Sequence, residues 1–138
     1  MNIFNWFKKK PAQVKSFPNI ITARVAKVEK HPNADRLRIV ELFDGTNTIA
    51  PVVCGAFNFN EGDIVALALP GAVIPQNIHS DTHESFTLQK AKIRGIESQG
   101  MICAAFELGL SNDSGKGIMI LKGDVRLGTE FTKEMIKI

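Results

Sequence analysis

Residues 20–53 read IITARVAKVEKHPNADRLRIVELFDGTNTIAPVV, and this stretch decides the fold class. It holds three segments rich in β-branched residues, at 21–31, 37–44 and 47–53. The first ends at His31-Pro32-Asn33, where proline cannot donate to a strand ladder and asparagine favours a turn. Asp44-Gly45 joins the second to the third and is a strong hairpin signal. The pattern predicts three antiparallel strands in a meander.

The rest of the chain adds short strands and little helix. Further strands are predicted at 64–69, 86–95, 98–103 and within the C-terminal segment 115–138. An exposed loop is expected at 75–85, and AAFELGL, at 104–110, is the one short helix candidate. Short strands at about 10-residue spacing, without βαβ alternation, favour a small closed barrel over a sandwich. We therefore predict an all-β, five-stranded barrel with one short helix and a C-terminal segment that wraps back onto it.

The charge distribution divides the chain into an arm and a domain. The net charge is +3 over 138 residues, yet residues 1–16 hold four lysines and no acid. Residues 17–138 hold the other 13 cations and all 14 acids, so this part is nearly neutral. Phe4, Trp6 and Phe7 accompany the lysines. We predict a basic, aromatic N-terminal arm at 1–16 and a single domain at 17–138.

Basic residues are also missing from the middle of the domain. No Lys or Arg occurs between Ile39 and Gln89, whereas six acids do. A positive face must therefore be assembled from the two flanks of this gap, and such a face would attract phosphates. Solvated surface charges produce the same layout, so the charge pattern alone leaves both interpretations open.

The sequence predicts a cytoplasmic protein without a membrane span. The longest apolar stretches, such as 64–70, fall far short of the roughly 20 residues that cross a bilayer. The opening MNIFNWFKKKP places its lysines after the apolar residues and offers no small-residue cleavage site. That arrangement argues against a secretory signal peptide.

Three cations near the end of a predicted strand form the most informative local pattern. With a period of two, Lys90, Lys92 and Arg94 share one strand face at intervals of about 7 Å, similar to the spacing of phosphates along a nucleic-acid strand. An outer face that is simply solvated fits equally well. Ser98 can hydrogen-bond to a phosphate or a base, and Met101 can lie against a base face. Together these residues favour a nucleic-acid contact surface.

The loop that follows the first strand offers a second candidate contact. It runs from His31 to Arg36 and contains several side chains able to form hydrogen bonds. Asn33 is the candidate for ligand contact. Alternatively, Asn33 and Asp35 stabilise the loop itself by bonding to nearby backbone groups.

The sequence shows no metal-binding or catalytic apparatus. His79 and His83 are spaced i, i+4 but fall in a predicted loop, and Cys54 and Cys103 are isolated rather than paired as Cys-x-x-Cys. Both cysteines fit the pattern of small buried hydrophobic residues. Glycine-rich phosphate loops of the GxxxxGKS or GxGxxG type do not occur. We expect no metal, no cofactor and no catalytic residue.

Three segments in register resemble one known family. They are His31 to Leu37, Val53-Cys54-Gly55-Ala56, and Lys90 to Gly95 with Glu97 to Cys103. Their order and spacing are similar to the tRNA-binding domain of bacterial phenylalanyl-tRNA synthetase β subunits. The same module occurs at the C-termini of methionyl-tRNA synthetases, in small free-standing tRNA-binding proteins and in endothelial-monocyte-activating polypeptides. The resemblance extends from about Asn19 to Phe131, most of the chain.

This resemblance implies an oligonucleotide-binding (OB) barrel and a set of tRNA-contacting positions. Those positions are Asn33, Lys90, Lys92, Arg94, Ser98 and Met101. The chain departs from the family in two places. Phe57 precedes Asn58 where the family reads Cys-Gly-Ala-Pro-Asn, and the loop 75–85 carries acids in place of a shorter, glycine-rich link.

The residues and the resemblance favour a non-catalytic tRNA-binding module, either part of a longer phenylalanyl-tRNA synthetase β subunit or a free-standing relative. The alternative is a protein-docking barrel whose arm residues Phe4, Trp6 and Phe7 anchor a synthetase or another partner. An enzyme, such as an oligonucleotide hydrolase, would need paired carboxylates, which the sequence does not show. The expected partners are tRNA and other synthetase domains or subunits, and a homodimer is compatible with the sequence.

Overall fold

The computed structural model describes residues 16–138 and shows a chain built almost entirely of strands and turns. The strands are β1 (Ile20–Lys30), β2 (Arg38–Phe43), β3 (Thr48–Cys54), β4 (Ile64–Ala68), β5 (Val73–Ile74), β6 (Phe86–Thr87), β7 (Ala91–Ile93), β8 (Ile96–Ser98) and β9 (Met101–Ile102). A 3₁₀ turn spans Lys133–Met135. Apart from Ser16, the predicted N-terminal arm lies outside the described residues, and its boundary with the domain stays a prediction.

Five strands form one curled antiparallel sheet in the order β3-β2-β1-β4-β9. The long strand β1 pairs with β4 through its N-terminal half and with β2 through its C-terminal half. A register shift between Val25 and Lys27 marks the change of partner, where a bulge lets the strand bend. The predicted meander is confirmed, including its hairpin, in which Asp44 Oδ1 accepts the amides of Thr46 and Asn47. The five-stranded OB-type barrel predicted from the sequence is therefore confirmed.

The sheet closes where the segment before β9 meets β3. The Val53 amide donates to Ser98 Oγ at 2.9 Å, and the Ser98 hydroxyl donates to the Gly100 carbonyl at 2.8 Å. One residue further on, the Gln99 amide donates to the Pro51 carbonyl at 2.9 Å. A serine hydroxyl thus stands in the place of a backbone carbonyl in the closing ladder.

Buried side chains form two clusters on opposite faces of the sheet. The barrel interior is filled mainly by aliphatic residues of the five strands and by Phe59. The outer cluster covers the other face of β1 and β4 and includes Ile20, Leu108 and Phe131. All five residues of β4 are buried, because alternate side chains enter the two clusters.

The C-terminal segment wraps onto β1, as predicted, and covers the outer cluster. The Gly128 amide donates to the Thr22 carbonyl and the Phe131 amide to the Ile20 carbonyl, both at 2.8 Å. The Phe131 ring packs on Phe17 with centroids 5.4 Å apart. The described part of the chain contains no helix with the length and apolar character needed to cross a bilayer.

The short helix predicted at 104–110 is wrong. The segment forms successive turns with bonds from residue i+3 to residue i, such as the Glu107 amide to the Ala104 carbonyl at 3.1 Å. Ala104 is held by a bridge to Ile118, and Gly109 reverses the chain with a φ of 74°. The Leu110 amide then bonds to the Ala105 carbonyl at 2.9 Å, five residues back, so the turns do not continue into the i+4 bonds of an α-helix.

The single strand predicted at 86–95 is also wrong, because it is divided between two sheets. β6 pairs with β5, and the Leu88 amide then donates to the Ala72 carbonyl at 2.8 Å. Beyond Leu88 the chain leaves this pairing, and β7 turns back on β8. Leu88 packs against the outer cluster at the residue where this pairing ends.

We predict that Ser98→Ala destabilises the barrel by about 1–3 kcal/mol. The substitution leaves the buried amide of Val53 without its acceptor, which carries the full desolvation cost of that group. Urea unfolding of both proteins measures the difference. Gln99→Ala is the matched control, because it keeps the backbone bond to Pro51 and changes only an exposed side-chain contact to Glu97. Equal stability of Ser98→Ala and Gln99→Ala would contradict this assignment.

Candidate nucleic-acid interface

Two loops of the barrel meet and hold one another. The loop between β1 and β2, residues 31–37, docks against the turn between β7 and β8. His31 is buried, and its Nδ1 accepts the Asn33 amide at 3.0 Å, which leaves the proton on Nε2 to bond the Ile93 carbonyl at 3.1 Å. Asn33 Nδ2 donates to the Arg94 carbonyl at 3.3 Å, and Arg94 Nη2 donates to the Asn33 carbonyl at 3.2 Å. In OB folds, the corresponding pair of loops flanks the oligonucleotide-binding face.

The β7–β8 turn places an arginine in a backbone conformation that favours other residues. Arg94 and Gly95 occupy the two central positions with φ values of 53° and 91°, which defines a type I′ hairpin turn. The left-handed conformation costs a residue with a β-carbon roughly 1–2 kcal/mol, and asparagine tolerates it best. The presence of arginine at this position therefore favours a role for its guanidinium outside the fold.

Lys90, Lys92 and Arg94 are all exposed, although they do not form the single strand face predicted from the sequence. Lys90 precedes β7, Lys92 lies at its centre and Arg94 forms the turn. The one ion pair recorded among residues 16–138 joins Lys27 and Glu29. Within the described residues none of these three cations forms a salt bridge, although Glu97 lies opposite Lys92 in the β7–β8 pairing.

The cations around the β7–β8 turn come mainly from the second flank of the charge gap, and Arg36 joins them from the first. Asn33 and Arg36 from the first flank and Arg94 from the second line one hollow of about 640 Å³, together with Asp35. We call the exposed residues Asn33, Lys90, Lys92 and Arg94 the hairpin surface. Four of the six predicted contact residues belong to it.

The other two predicted contact residues lie elsewhere. Ser98 is buried, and both hydrogen bonds of its hydroxyl are made within the barrel, as described above. Met101 is half-buried in β9, where it packs against the outer cluster and also lines a large groove. Ser98 nevertheless pairs with Ala91 in the β7–β8 hairpin and lines the same groove as Met101, so both residues lie beside the hairpin surface rather than on it.

A groove of about 1070 Å³ runs beside the β7–β8 hairpin, and we call it the central groove. Its walls include Phe57, His79 and Ala91, and the charged side chains that line it within the described residues are Lys116 and Glu107. Glu107 is buried, and its Oε1 accepts the Ala104 amide at 2.8 Å. Burial raises the pKa of the Glu107 carboxyl, and the bond from Ala104 partly offsets that effect.

One exposed aromatic residue at the groove was not predicted to contact a ligand. Phe57 is 57% exposed, and the Arg38 guanidinium carbon lies 4.7 Å from its ring centroid. The sequence marked Phe57 only as a departure from the family motif. The sequence placed Arg38 only among the cations that precede the charge gap, because it does not show that Arg38 and Phe57 are in contact.

The two cysteines have the buried environment expected from the sequence. Cys54 and Cys103 are free and buried, and burial raises the pKa of both thiols. Protonated thiols are poor nucleophiles and poor metal ligands. In the described range 16–138, no group of three or more His, Cys, Asp or Glu is placed to hold a metal ion. His83 instead packs edge-on against Phe106, with ring centroids 4.9 Å apart.

Comparison with protein families agrees with this geometry. Residues 20–130 match the family model described as "Putative tRNA binding domain". The chain belongs to the tRNA-binding domain family. This match covers the closed barrel, both docked loops and most of the C-terminal segment.

Several relatives of this tRNA-binding domain are named phenylalanine–tRNA ligase β subunits. The protein from Syntrophotalea carbinolica is 46% identical over 110 residues, which is 80% of this chain and 12% of the relative. The protein from Bdellovibrio bacteriovorus is 37% identical over 121 residues, 88% of this chain and 14% of the relative. The chain thus spans only a small part of these relatives. The predicted resemblance is confirmed.

A solved structure supports the fold. The crystal structure of a MetRS-related protein from Pyrococcus horikoshii superimposes with a TM-score of 0.59 at 20% identity. The match covers 84% of this chain and 90% of that one. At this level of identity, the agreement concerns the course of the backbone.

We predict that Arg94→Asn either leaves the free energy of unfolding unchanged or raises it by up to about 1 kcal/mol. Asparagine relieves the left-handed strain at the first turn position, and Asn-Gly is the preferred pair for a type I′ turn. Lost stability from this change would show that the guanidinium contact with Asn33 outweighs the backbone strain. Urea unfolding at neutral pH measures the outcome, with Lys92→Asn as the control in the same hairpin.

A second prediction concerns the pH dependence of stability. The pKa of Glu107 is raised above 4.5 in the folded protein, so the folded state holds this proton more tightly than the unfolded chain does. The contribution of the protonated Glu107 carboxyl to the free energy of unfolding is present in full below about pH 4.5, and it falls as pH rises through the pKa of the folded state. Glu107→Gln removes it, because glutamine does not titrate.

Urea unfolding of both proteins between about pH 4 and pH 8 tests this sign. The stability of the natural protein relative to Glu107→Gln should decrease as pH rises. Glu97→Gln, at an exposed position, is the control for the loss of one acid. Parallel pH profiles of the natural protein and Glu107→Gln would show that the carboxyl does not titrate differently in the fold.

Proposed function

We propose that this chain is a non-catalytic tRNA-binding module that holds the tRNA backbone with its hairpin surface. The observation that carries the proposal is the docking of the β1–β2 loop on the β7–β8 turn, with Asn33 and Arg94 bonded to each other. That contact fixes the position of the exposed cations around it. Membership of the tRNA-binding domain family supports tRNA as the ligand.

The chemistry of the hairpin surface favours phosphates over base edges. Lys90 and Lys92 carry their charges on flexible side chains, and Arg94 presents a guanidinium whose fork matches phosphate oxygens. Phosphate contacts position a nucleic acid without reading its sequence. We therefore propose recognition of tRNA shape and backbone, with modest selectivity among different tRNAs.

The relatives support a role beside aminoacylation. Those compared above are named phenylalanine–tRNA ligase β subunits, and the chain spans 12–14% of their length. We propose that the chain delivers tRNA to a synthetase, either as one domain of a longer β subunit or as a free-standing protein. Other synthetase domains or subunits are then its protein partners, and the cytoplasm is its location. The chain does not itself catalyse aminoacylation in this proposal.

The test is to remove the positive charges of the hairpin surface without disturbing the barrel. Lys90→Ala and Lys92→Ala are combined with Arg94→Asn, which preserves the turn. Loss of three phosphate contacts should weaken tRNA binding strongly and reduce the slope of log affinity against log salt by about two to three units. Fluorescence anisotropy with labelled tRNA over a salt series measures both quantities.

A matched variant changes three exposed lysines of the C-terminal segment, Lys122, Lys133 and Lys137, to alanine. It removes the same net charge and should retain most of the affinity and the slope. If both variants bind equally, the hairpin surface is not the tRNA site. Weak binding by the natural chain that does not depend on salt would instead support the protein-docking alternative.

A further inference from the structure

Phe57 is an exposed aromatic ring that the fold nevertheless keeps in place. Among residues 16–138, the large apolar side chains left exposed are Phe57, Val73 and the terminal Ile138, and Phe57 alone of these is aromatic. Its neighbour Asn58 is bonded through its side chain to both the amide and the carbonyl of Ile118. The loop that carries Phe57 is thus tied to Ile118, which also lines the central groove.

The Arg38 guanidinium packs against the Phe57 ring and helps to hold it in place. Its Nη2 donates to the carbonyls of Ala56 and Phe59 at 3.3 and 3.2 Å, which places the guanidinium inside the loop. The guanidinium carbon lies 4.4 Å from the buried ring of Phe59 and 4.7 Å from the exposed ring of Phe57. A cation over a ring face is attracted by the ring's quadrupole, which stabilises that arrangement. The rest of the Phe57 ring is available to a ligand.

The charges around Phe57 distinguish its two sides. On one side lies a hollow of about 680 Å³ whose charged residues are Glu29, Lys30, Asp35, Arg38 and Glu61. Three acids beside two cations make that hollow unfavourable for phosphate. On the other side lies the central groove, where the exposed charge is that of Lys116 and the acid, Glu107, is buried. A nucleic-acid strand is therefore better accommodated on the groove side.

Stacking on an aromatic ring is the usual means by which OB folds hold unpaired bases, and it tolerates any base because every base has a π-face. Bases inside a duplex are not accessible to such a ring. We propose that Phe57, held by Arg38, is a stacking platform for one unpaired base of a bound RNA, with the adjoining phosphate facing Lys116. This site rests on the proposed function and lies apart from the hairpin surface, because neither Lys90 nor Lys92 lines the central groove.

The platform is tested with two RNA probes and the full chain. One probe is a single-stranded oligonucleotide of about 12 nucleotides, within the range that one OB fold covers, and the other is the same sequence in a duplex. Phe57→Ala should reduce affinity for the single strand about 5- to 150-fold, which corresponds to about 1–3 kcal/mol for one stacked base. The salt slope and the duplex affinity should not change, because phenylalanine carries no charge.

Three further variants make the result specific. Phe57→Leu keeps an apolar side chain without a π-face and should lose affinity like Phe57→Ala, even if the alanine variant folds poorly. Val73→Ala removes another exposed apolar side chain and should bind as the natural chain does. Lys116→Ala should lower the salt slope by about 0.7 for the single strand, the value for one phosphate contact.

A spectroscopic measurement reports the stack directly. The single tryptophan of the chain is Trp6, so Trp6→Phe combined with Phe57→Trp leaves one reporter at the platform. Addition of the single strand should quench its emission, and the duplex should not. Natural affinity in Phe57→Ala, or unquenched emission while the single strand is bound, overturns the platform and leaves the hairpin surface standing. A natural chain that binds tRNA but neither short RNA overturns the platform alone, and a natural chain that does not bind tRNA either overturns both proposals.

Discussion

The closure of the barrel at Ser98 is the contact on which the rest of the structure depends. Its hydroxyl joins β3 to the segment before β9, and in doing so it fixes the direction in which the β7–β8 hairpin leaves the barrel. Gly100 makes this closure possible, since a β-carbon there would lie 2.7 Å from the Ala68 carbonyl. The positions of the β7–β8 hairpin, the central groove and the docked β1–β2 loop all depend on the geometry of this closure.

The cations of the proposed tRNA site contribute little to the packing of the domain. They are exposed and form no salt bridge among the described residues, whereas the hydrogen bonds beneath them involve His31, Asn33 and backbone carbonyls. Charges arranged in this way remain free to attract phosphates, because no direct salt bridge holds them, and only Lys92 has an acid, Glu97, opposite it in the β7–β8 pairing. Arg94 is similar, since its backbone is strained while its guanidinium bonds to one carbonyl, that of Asn33, among the described residues.

The two proposed contact areas would recognise different features of one ligand. The hairpin surface offers charge, which supplies affinity for any phosphate backbone and weakens with salt. Phe57 offers a ring, which selects for unpaired bases and is insensitive to salt. Arg38 supports the second area only, because its guanidinium holds the Phe57 ring and the loop rather than contacting a phosphate. Such a combination would suit a folded RNA that has both helical stems and unpaired nucleotides.

Local patterns in the sequence determined the strands of residues 20–54, the Asp44 hairpin, the burial of both cysteines and the family, because alternation and turn residues act over a few neighbours. Exposure of Lys90, Lys92 and Arg94 also followed from local polarity. Only the tertiary structure decided that Ser98 closes the barrel, that the predicted strand is divided after Leu88 and that Arg38 supports Phe57. Each of these depends on a contact between residues far apart in the chain, and the physical reason is that burial and hydrogen-bond partners exist only after the sheet has curled.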